Sequence, residues 1–305
     1  MIVIRIGTRG SQLALWQANE TSRKLKAAGF EPQIITVKTT GDKRQDVPLA
    51  TVGGKGVFIK ELEEALERNE IDIAVHSLKD VPSIIPPQFT LAGFLERADP
   101  RDAWIHPDRM AITDVPAGST IGTSAPRRRA QLIEKFPHLK VEAIRGNVET
   151  RIGKARSGQY AGVILASAGL TRLGRAAEIT SFFSVDEMIP AAGQGIIVIE
   201  TLGTSNIGRK AAAAINVKAS ELAATCERGV LQRFGERLDC YSAVAAHAEA
   251  GAPFELTIRA FVADSDGTRS VRVRHSGRDP QQVISAVYDE LIAKGAMELI
   301  CATSR

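Results

Sequence analysis

The sequence predicts an α/β protein with two similar lobes and a smaller α+β domain at its C-terminal end. Three observations support this class. Short apolar runs alternate with helical stretches in the first half of the chain, and one strand–turn–helix opening occurs twice. After Glu200 the pattern changes to strictly alternating strands between amphipathic helices.

The first strand–turn–helix unit lies at the N-terminus. Residues 2–6 form an apolar run typical of a strand, and Ser11 is suited to cap a helix that Gly29 ends. Two further strands are predicted downstream, at 34–37 and 71–75, with a helix at about 58–68 between them. The polar, glycine-bearing stretch 39–56 is long enough to indicate a functional loop or lid.

The opening at residues 6–11 is echoed at 121–126. Both begin Ile-Gly-Thr and precede a predicted helix, and Pro126 is suited to a first helical turn. Two more strand-to-helix junctions are predicted, at 141–147 and 162–167. Helix N-termini carry unpaired N–H groups and a positive dipole end, so we expect all four junctions to favour anions in a shared cleft.

The C-terminal part is predicted to be α+β. A helix at 219–234 has five residues on its apolar face: Leu222, Ala223, Cys226, Val230 and Phe234. Apolar and other side chains alternate over residues 254–262, which predicts a strand. Asp266-Gly267 is the predicted turn that connects it to a second strand in a hairpin. A last amphipathic helix ends before Gly295.

Composition excludes several classes of protein. The 305 residues are 44% hydrophobic and 24% charged, which is typical of globular proteins. No apolar run approaches the roughly 20 residues of a membrane span, and we see no signal-peptide pattern. Three widely spaced cysteines form neither a disulfide framework nor a metal-ligand set. We therefore expect a cytoplasmic protein with no metal site and, without a long apolar stripe, a monomer.

Positive charge is concentrated in residues 127–175. This window holds eleven Lys and Arg against three Glu, a net charge of +8, whereas the whole chain carries +4. Arginine outnumbers lysine there by eight to three, which favours guanidinium binding of carboxylates. Nucleic-acid binding is the alternative, although aromatic residues are only 5% of the chain. A solvated helix face would account for some of these charges: Arg129, Lys135, Lys154 and Arg156.

Candidate reactive groups lie outside that window. Cys240 lies in a loop between elements, where a thiolate could be reached, while Cys226 lies on an apolar helix face and fits a core. From position alone, functional and structural roles for Cys240 stay equally open. Lys79 and Asp80 follow a buried strand, where ligands bind in doubly wound folds, or they form a surface ion pair. The preceding His76 fits a satisfied core residue.

A glycine-rich segment around Lys55 does not fit a phosphate-binding loop. No Ser or Thr follows the lysine, and no strand leads directly into the segment. A flap carrying one cation is the better interpretation.

These motifs together closely resemble the porphobilinogen deaminase (hydroxymethylbilane synthase) family. The matching stretches follow the family's order over nearly the whole chain. They are 7–18, 52–58, 72–82, 122–124 with Arg127-Arg128, 145–151, 168–174 and 192–195.

The resemblance implies two periplasmic-binding-protein-like lobes and a third domain that carries the cysteine. The implied boundaries are 1–95 with 196–216, then 96–195, then 217–305. It also implies a reaction of tetrapyrrole biosynthesis. Four porphobilinogen units are joined head to tail with loss of ammonia onto a dipyrromethane cofactor, and water then releases linear hydroxymethylbilane.

The resemblance assigns roles to residues as well. Cys240 would hold the dipyrromethane by a thioether, Asp80 would be catalytic, and Phe58 would cap a pyrrole ring. Side-chain carboxylates and rings would be held by Arg9, Ser11, Lys55, Phe58, Lys79, Thr123, Ser124, Arg127, Arg128, Arg145, Gly146, Arg151, Ser167, Arg172 and Gln194.

The sequence departs from the family pattern at a few positions. Leu238-Asp239 precedes Cys240 in place of two glycines, Ala125-Pro126 replaces Ser-Leu, and Thr51 stands where some relatives have lysine. Two alternative functions are a two-lobed solute-binding module and a nucleic-acid-binding protein. The solute-binding module has no use for Cys240, and a nucleic-acid-binding protein predicts steeply salt-dependent affinity for polynucleotides.

Overall fold

The structure is a computed structural model of the chain that describes residues 1–38, 59–238, 242–251 and 255–301. The chain divides into two compact units, each made of two segments. The first unit is Met1–Ala98 with Gly195–Ala224, and the second is Asp99–Gln194 with Thr225–Arg305.

The elements before the first crossing between units belong to the first unit. They are β1 (Ile2–Thr8), α1 (Gln12–Ala27), β2 (Phe30–Thr36), α2 (Lys60–Glu67), β3 (Ile73–Ser77) and β4 (Phe89–Phe94). Ser11 is the N-cap of α1, and its hydroxyl accepts a hydrogen bond from the Ala14 N–H at 3.3 Å. Gly29 follows this helix with a φ of +87°, which a residue with a side chain rarely adopts. Both predicted ends of α1 are therefore confirmed.

The chain then forms most of the second unit. Its elements are β5 (Asp102–Ile105), β6 (Thr120–Gly122), α3 (Pro126–Lys135), β7 (Lys140–Glu142), α4 (Val148–Arg156), β8 (Gly162–Ala166), α5 (Ser167–Arg172) and β9 (Ser181–Phe182). Pro126 is the first residue of α3, as predicted. Each of the helices α3, α4 and α5 follows the carboxyl end of a strand within a few residues.

The chain returns through the first unit and ends in the second. The last elements are β10 (Ile197–Leu202), α6 (Asn206–Ala214), α7 (Lys218–Phe234), β11 (Ala243–Gly251), β12 (Glu255–Ala263), β13 (Ser270–Gly277), α8 (Pro280–Ala293) and α9 (Ala296–Cys301). The predicted hairpin is confirmed by β12 and β13, which are antiparallel.

Two five-stranded sheets have the same arrangement of parallel and antiparallel strands. Their strand orders are β2-β1-β3-β10-β4 and β7-β6-β8-β5-β9. In each sheet the first three strands are parallel and the fourth is antiparallel. The third sheet, β11-β12-β13, is antiparallel. These sheets confirm the predicted class, a repeated α/β architecture with a smaller α+β part.

Apolar side chains cover both faces of the central parallel strands β3 and β8. Ile4, Ile6 and Ile73 lie in one core of the first unit, and Trp104 is fully buried in the second. Strands covered on both faces need continuous apolar runs, which is the pattern of the sequence there.

The predicted apolar face of α7 is partly wrong. Leu222 is 38% exposed, whereas Glu227 is completely buried. The Glu227 carboxylate accepts hydrogen bonds from the backbone N–H groups of Gly193 (2.6 Å) and Ala248 (2.7 Å), which stabilise a charged residue on the inner face. Strand β11 was not predicted either, because its many alanines carry little β propensity.

Candidate active site

In the second unit, most of the predicted site residues of that unit lie at one edge of its sheet. Strands β7, β6 and β8 are neighbouring and parallel, so their carboxyl ends meet at the same edge. The residues that follow those ends, or lie in the first turn of the next helix, are Thr123, Ser124, Arg145, Gly146, Arg151 and Ser167. Arg172 is the last residue of α5, the short helix that begins at Ser167. The structure therefore brings together residues that lie up to 44 positions apart in the sequence.

Hydrogen bonds connect the junctions at this edge. The Ser124 hydroxyl donates to the Ile144 carbonyl oxygen at 2.6 Å and accepts from the Ile144 N–H at 3.0 Å. The Arg151 Nε donates to the carbonyl oxygen of Gly146 at 2.8 Å. Gly146 has a φ of +110°, and a Cβ at this position would lie 2.5 Å from Thr150. Only glycine fits this approach without displacing the helix start.

Ser167 is buried at the start of α5. Its N–H donates to the Arg101 carbonyl oxygen at 3.1 Å, and its hydroxyl hydrogen-bonds to Asp99. Its hydrogen bonds therefore connect the carboxyl end of β8 to the segment that leads into β5.

Arg127 and Arg128 are both buried and share one carboxylate. Asp102 Oδ2 accepts from Arg127 Nη1 at 2.6 Å, and Asp102 Oδ1 accepts from Arg128 Nη2 at 2.7 Å. Gln194 joins them, because its Nε2 donates to Asp102 Oδ1 at 2.8 Å and its Oε1 accepts from Arg127 Nη2 at 3.1 Å. We call these four residues the Asp102 cluster.

The electrostatics of the Asp102 cluster favour an ionised carboxylate. Burial alone would raise the pKa of Asp102, but the charges and hydrogen bonds of Arg127 and Arg128 lower the pKa well below its usual range. Two guanidinium groups and one carboxylate leave the cluster with one net positive charge. A buried positive charge attracts an anion more strongly than an exposed one, because water screens it less.

In the first unit, predicted site residues follow two neighbouring parallel strands. Arg9 comes directly after β1, and Ser11 caps α1. Lys79 and Asp80 lie in a short 3-10 turn, Leu78–Asp80, directly after β3, and both are exposed. Since β1 pairs in parallel with β3, these residues lie at one edge of the first sheet.

A buried acid–base pair lies in the strands of this sheet. His76 Nε2 is 3.0 Å from Glu200 Oε2, and both side chains are buried. The prediction that His76 is a satisfied core residue is confirmed. Among the described residues, Glu200 Oε1 has no hydrogen-bond partner.

Cys226 is a core residue, as predicted. It is fully buried, and burial together with the charge of Glu227 raises the pKa of its thiol to about 11. Three predicted site residues, Lys55, Phe58 and Cys240, lie outside the residues that the structure describes.

Asp102 was not predicted as a site residue from the sequence. An acidic residue that begins an apolar strand, Asp102-Ala103-Trp104-Ile105, was a signal that could have identified it. A carboxylate in such a position is almost never buried unless it is paired.

The fold and these residues define an α/β protein with two mixed sheets, each of which presents basic side chains at the carboxyl ends of parallel strands. Such side chains are suited to a ligand with several carboxylates. The family model "Porphobilinogen deaminase, dipyromethane cofactor binding domain" matches residues 4–207. A porphobilinogen deaminase from Trichlorobacter lovleyi is 44% identical over 97% of this chain and 95% of that protein. One from Francisella tularensis subsp. novicida is 42% identical over 97% of this chain and 98% of that protein. The chain belongs to the porphobilinogen deaminase family.

One solved structure with likeness to this chain is that of the methionine binding protein MetQ. It has a TM-score of 0.45 and 11% sequence identity, covering 69% of this chain and 88% of that chain. Among the described residues, no helix is both long and apolar enough to cross a membrane.

Proposed function

We propose that this protein is a hydroxymethylbilane synthase, a transferase that joins four porphobilinogen molecules head to tail with loss of ammonia. Water then releases the linear product. The observation that carries the proposal is the position of Arg145 and Arg151 at one sheet edge, with Arg172 on the short helix that begins there, in a chain of this family.

The chemistry of the substrate explains why so many guanidinium groups are needed. Every porphobilinogen carries one acetate and one propionate, so each added unit brings two more carboxylates. Guanidinium forks bind carboxylates with two parallel hydrogen bonds, which fixes orientation as well as charge. We assign this role to the basic residues Arg9, Lys55, Lys79, Arg127, Arg128, Arg145, Arg151 and Arg172, helped by Ser11, Thr123, Ser124, Gly146, Ser167 and Gln194.

We assign the catalytic role to Asp80. Asp80 follows β3 at the sheet edge that also holds Arg9, and this position supports the assignment. A carboxylate there can contact a pyrrole ring that the neighbouring cations bind. The carboxylate of Asp80 would accept hydrogen bonds from the pyrrole N–H groups and stabilise the positive charge that develops when ammonia leaves. Such a carboxylate can also move protons to and from the reacting atoms.

The basic side chains at the strand ends suit an acidic group such as the dipyrromethane cofactor. When bound, this group supplies the primer to which substrate units are added. We propose that the Cys240 sulfur holds it by a thioether, because a thiolate is a good soft nucleophile. Cys226 does not compete, since a buried thiol with a pKa of about 11 stays protonated near neutral pH. Phe58 would cap a ring, and Lys55 would add a cation from its segment.

We further propose a cytoplasmic monomer. Three cysteines without a disulfide framework are typical of a reducing compartment. Large exposed apolar side chains are scattered along the described residues rather than gathered in one segment, for example Trp16, Ile84 and Phe182. Such scattered residues are normal on the surface of a monomer.

Intact-mass measurement tests the function. We expect the purified protein to exceed its sequence mass by a covalently attached dipyrrole and to convert porphobilinogen to hydroxymethylbilane. Cys240→Ser should remove the mass increment and the activity. Cys226→Ser is the matched control and should keep both. Protein of unmodified mass that still converts porphobilinogen would exclude the covalent primer.

A further inference from the structure

The two arginines of the Asp102 cluster differ in the hydrogen bonds that they have left to make. A guanidinium group has five N–H protons, two on each Nη and one on Nε. Arg127 Nη1 donates to Asp102 and to the Ile189 carbonyl oxygen, and its Nη2 donates to Asp102 and Gln194. All four Nη protons of Arg127 are therefore used within the protein.

Arg128 is held by one edge instead. Its Nε and Nη2 both donate to Asp102 Oδ1, at 3.1 and 2.7 Å, and its Nη1 donates to the Ile164 carbonyl oxygen at 3.1 Å. Among the described residues these are its hydrogen bonds, so one proton on each Nη is left. Those two protons can each donate to a carboxylate oxygen.

We infer that Asp102 is a positioning residue that gives the two neighbouring arginines different tasks. Together with Ile189 and Gln194, it uses all four Nη protons of Arg127, which supports the cluster and, among the described residues, has only its Nε proton left for a carboxylate. It also fixes Arg128 through the Nε edge, so that the remaining Nη protons of Arg128 bind an acetate or propionate of the pyrrole chain. This inference rests on the proposed function, because it names the binding partner of Arg128.

Gln194 makes the two tasks separable. Its Oε1 lies 3.1 Å from Arg127 Nη2, and its Nε2 donates to Asp102 and to the Pro100 carbonyl oxygen at 2.7 Å. Among the described residues, the hydrogen bonds of Arg128 go to Asp102 and Ile164. A carboxylate placed at residue 194 would therefore compensate the charge of Arg127 without holding the Nε edge of Arg128.

The experiment compares wild type, Asp102→Asn and Asp102→Asn/Gln194→Glu. Asp102→Asn should raise the KM for porphobilinogen about 10-fold to 100-fold, the loss expected for one charge-assisted hydrogen bond. It should also lower the thermal midpoint by about 10 °C, because two guanidinium groups lose their buried counter-charge. The double variant should recover much of the midpoint but keep the raised KM.

Folded Asp102→Asn protein that lacks the covalent mass increment would also support the inference, since carboxylate binding is then lost at the first step. Glu178→Gln is the matched control. It removes a carboxylate paired with Arg156 in the same unit, and it should leave KM unchanged.

A second pair of variants serves if Asp102→Asn does not fold. Arg128→Lys keeps the charge but loses the planar guanidinium group, so it should raise KM more than it lowers the midpoint. Arg127→Lys should lower the midpoint more than it changes KM.

Three results overturn the inference while leaving the proposed function intact. The first is a wild-type KM in Asp102→Asn, and the second is recovery of KM in the double variant. The third is a reversed effect of Arg127→Lys and Arg128→Lys. Wild-type protein that neither carries the dipyrrole nor consumes porphobilinogen overturns both the function and the inference.

Discussion

Glu63 on α2 gives the protein a pH-dependent stability. Burial raises the pKa of this carboxyl from 4.5 to about 7, and the charge of Glu200 adds to the effect while His76 opposes it. The folded state therefore holds the Glu63 proton more tightly than the unfolded state does. Its contribution to stability is complete below about pH 4.5 and is lost as the pH rises through about 7.

The size of this contribution follows from the shift. A rise from 4.5 to about 7 corresponds to about 3 kcal/mol at full effect. Glu63 is only partly buried, so screening by water reduces the figure to about 1–2 kcal/mol. Glutamine resembles the protonated acid, and Glu63→Gln should therefore match wild type near pH 5. At pH 8 it should be more stable than wild type by about 1–2 kcal/mol.

Calorimetric thermal unfolding between pH 5 and pH 8 measures this difference. The variant should gain about 2–6 °C over wild type at the alkaline end and nothing at the acid end. Glu64→Gln, on the same helix and paired with Lys60 and Arg68, should not show this gain. A difference between Glu63→Gln and wild type that stays constant with pH would refute the reasoning.

Two further predictions concern the reaction and the backbone. Asp80→Asn should lower the rate about 10²-fold to 10⁴-fold without changing the thermal midpoint, because the side chain is exposed. Asp108→Asn, another exposed carboxylate, should keep the wild-type rate, and near-wild-type activity in Asp80→Asn would exclude its catalytic role. Gly195→Ala should destabilise the fold by about 2–4 kcal/mol in urea unfolding, since φ is +89° and the new Cβ would lie 2.4 Å from a carbonyl oxygen. Gly158→Ala, where φ is +77° and the space is open, should cost about 1 kcal/mol, and equal losses would contradict the steric argument.

Local signals in the sequence were sufficient for much of the fold. The Ser11 cap, the Pro126 helix start and the repeated opening were all confirmed, because capping and turn formation depend on residues close together in the chain. The same-edge position of Arg145 and Ser167 also followed from order alone, since each comes after a parallel strand.

Burial of charge could not be predicted in this way. Leu222 was expected inside and Glu227 was not considered, yet the two backbone N–H donors of Glu227 come from segments 34 and 21 residues away. The spacing of apolar residues indicates which face of a helix is apolar. It does not show which polar side chains will form hydrogen bonds in the interior.

The sequence by itself therefore determined the α/β class, the family motifs and the concentration of arginine. Only the tertiary structure decided that Arg127 and Arg128 share Asp102, which lies 25 and 26 residues earlier, and that Gln194 completes the cluster. The physical reason is that a guanidinium group pairs with whichever carboxylate the fold brings within hydrogen-bond distance. That carboxylate is chosen by how β5 and α3 pack, and no local pattern records it.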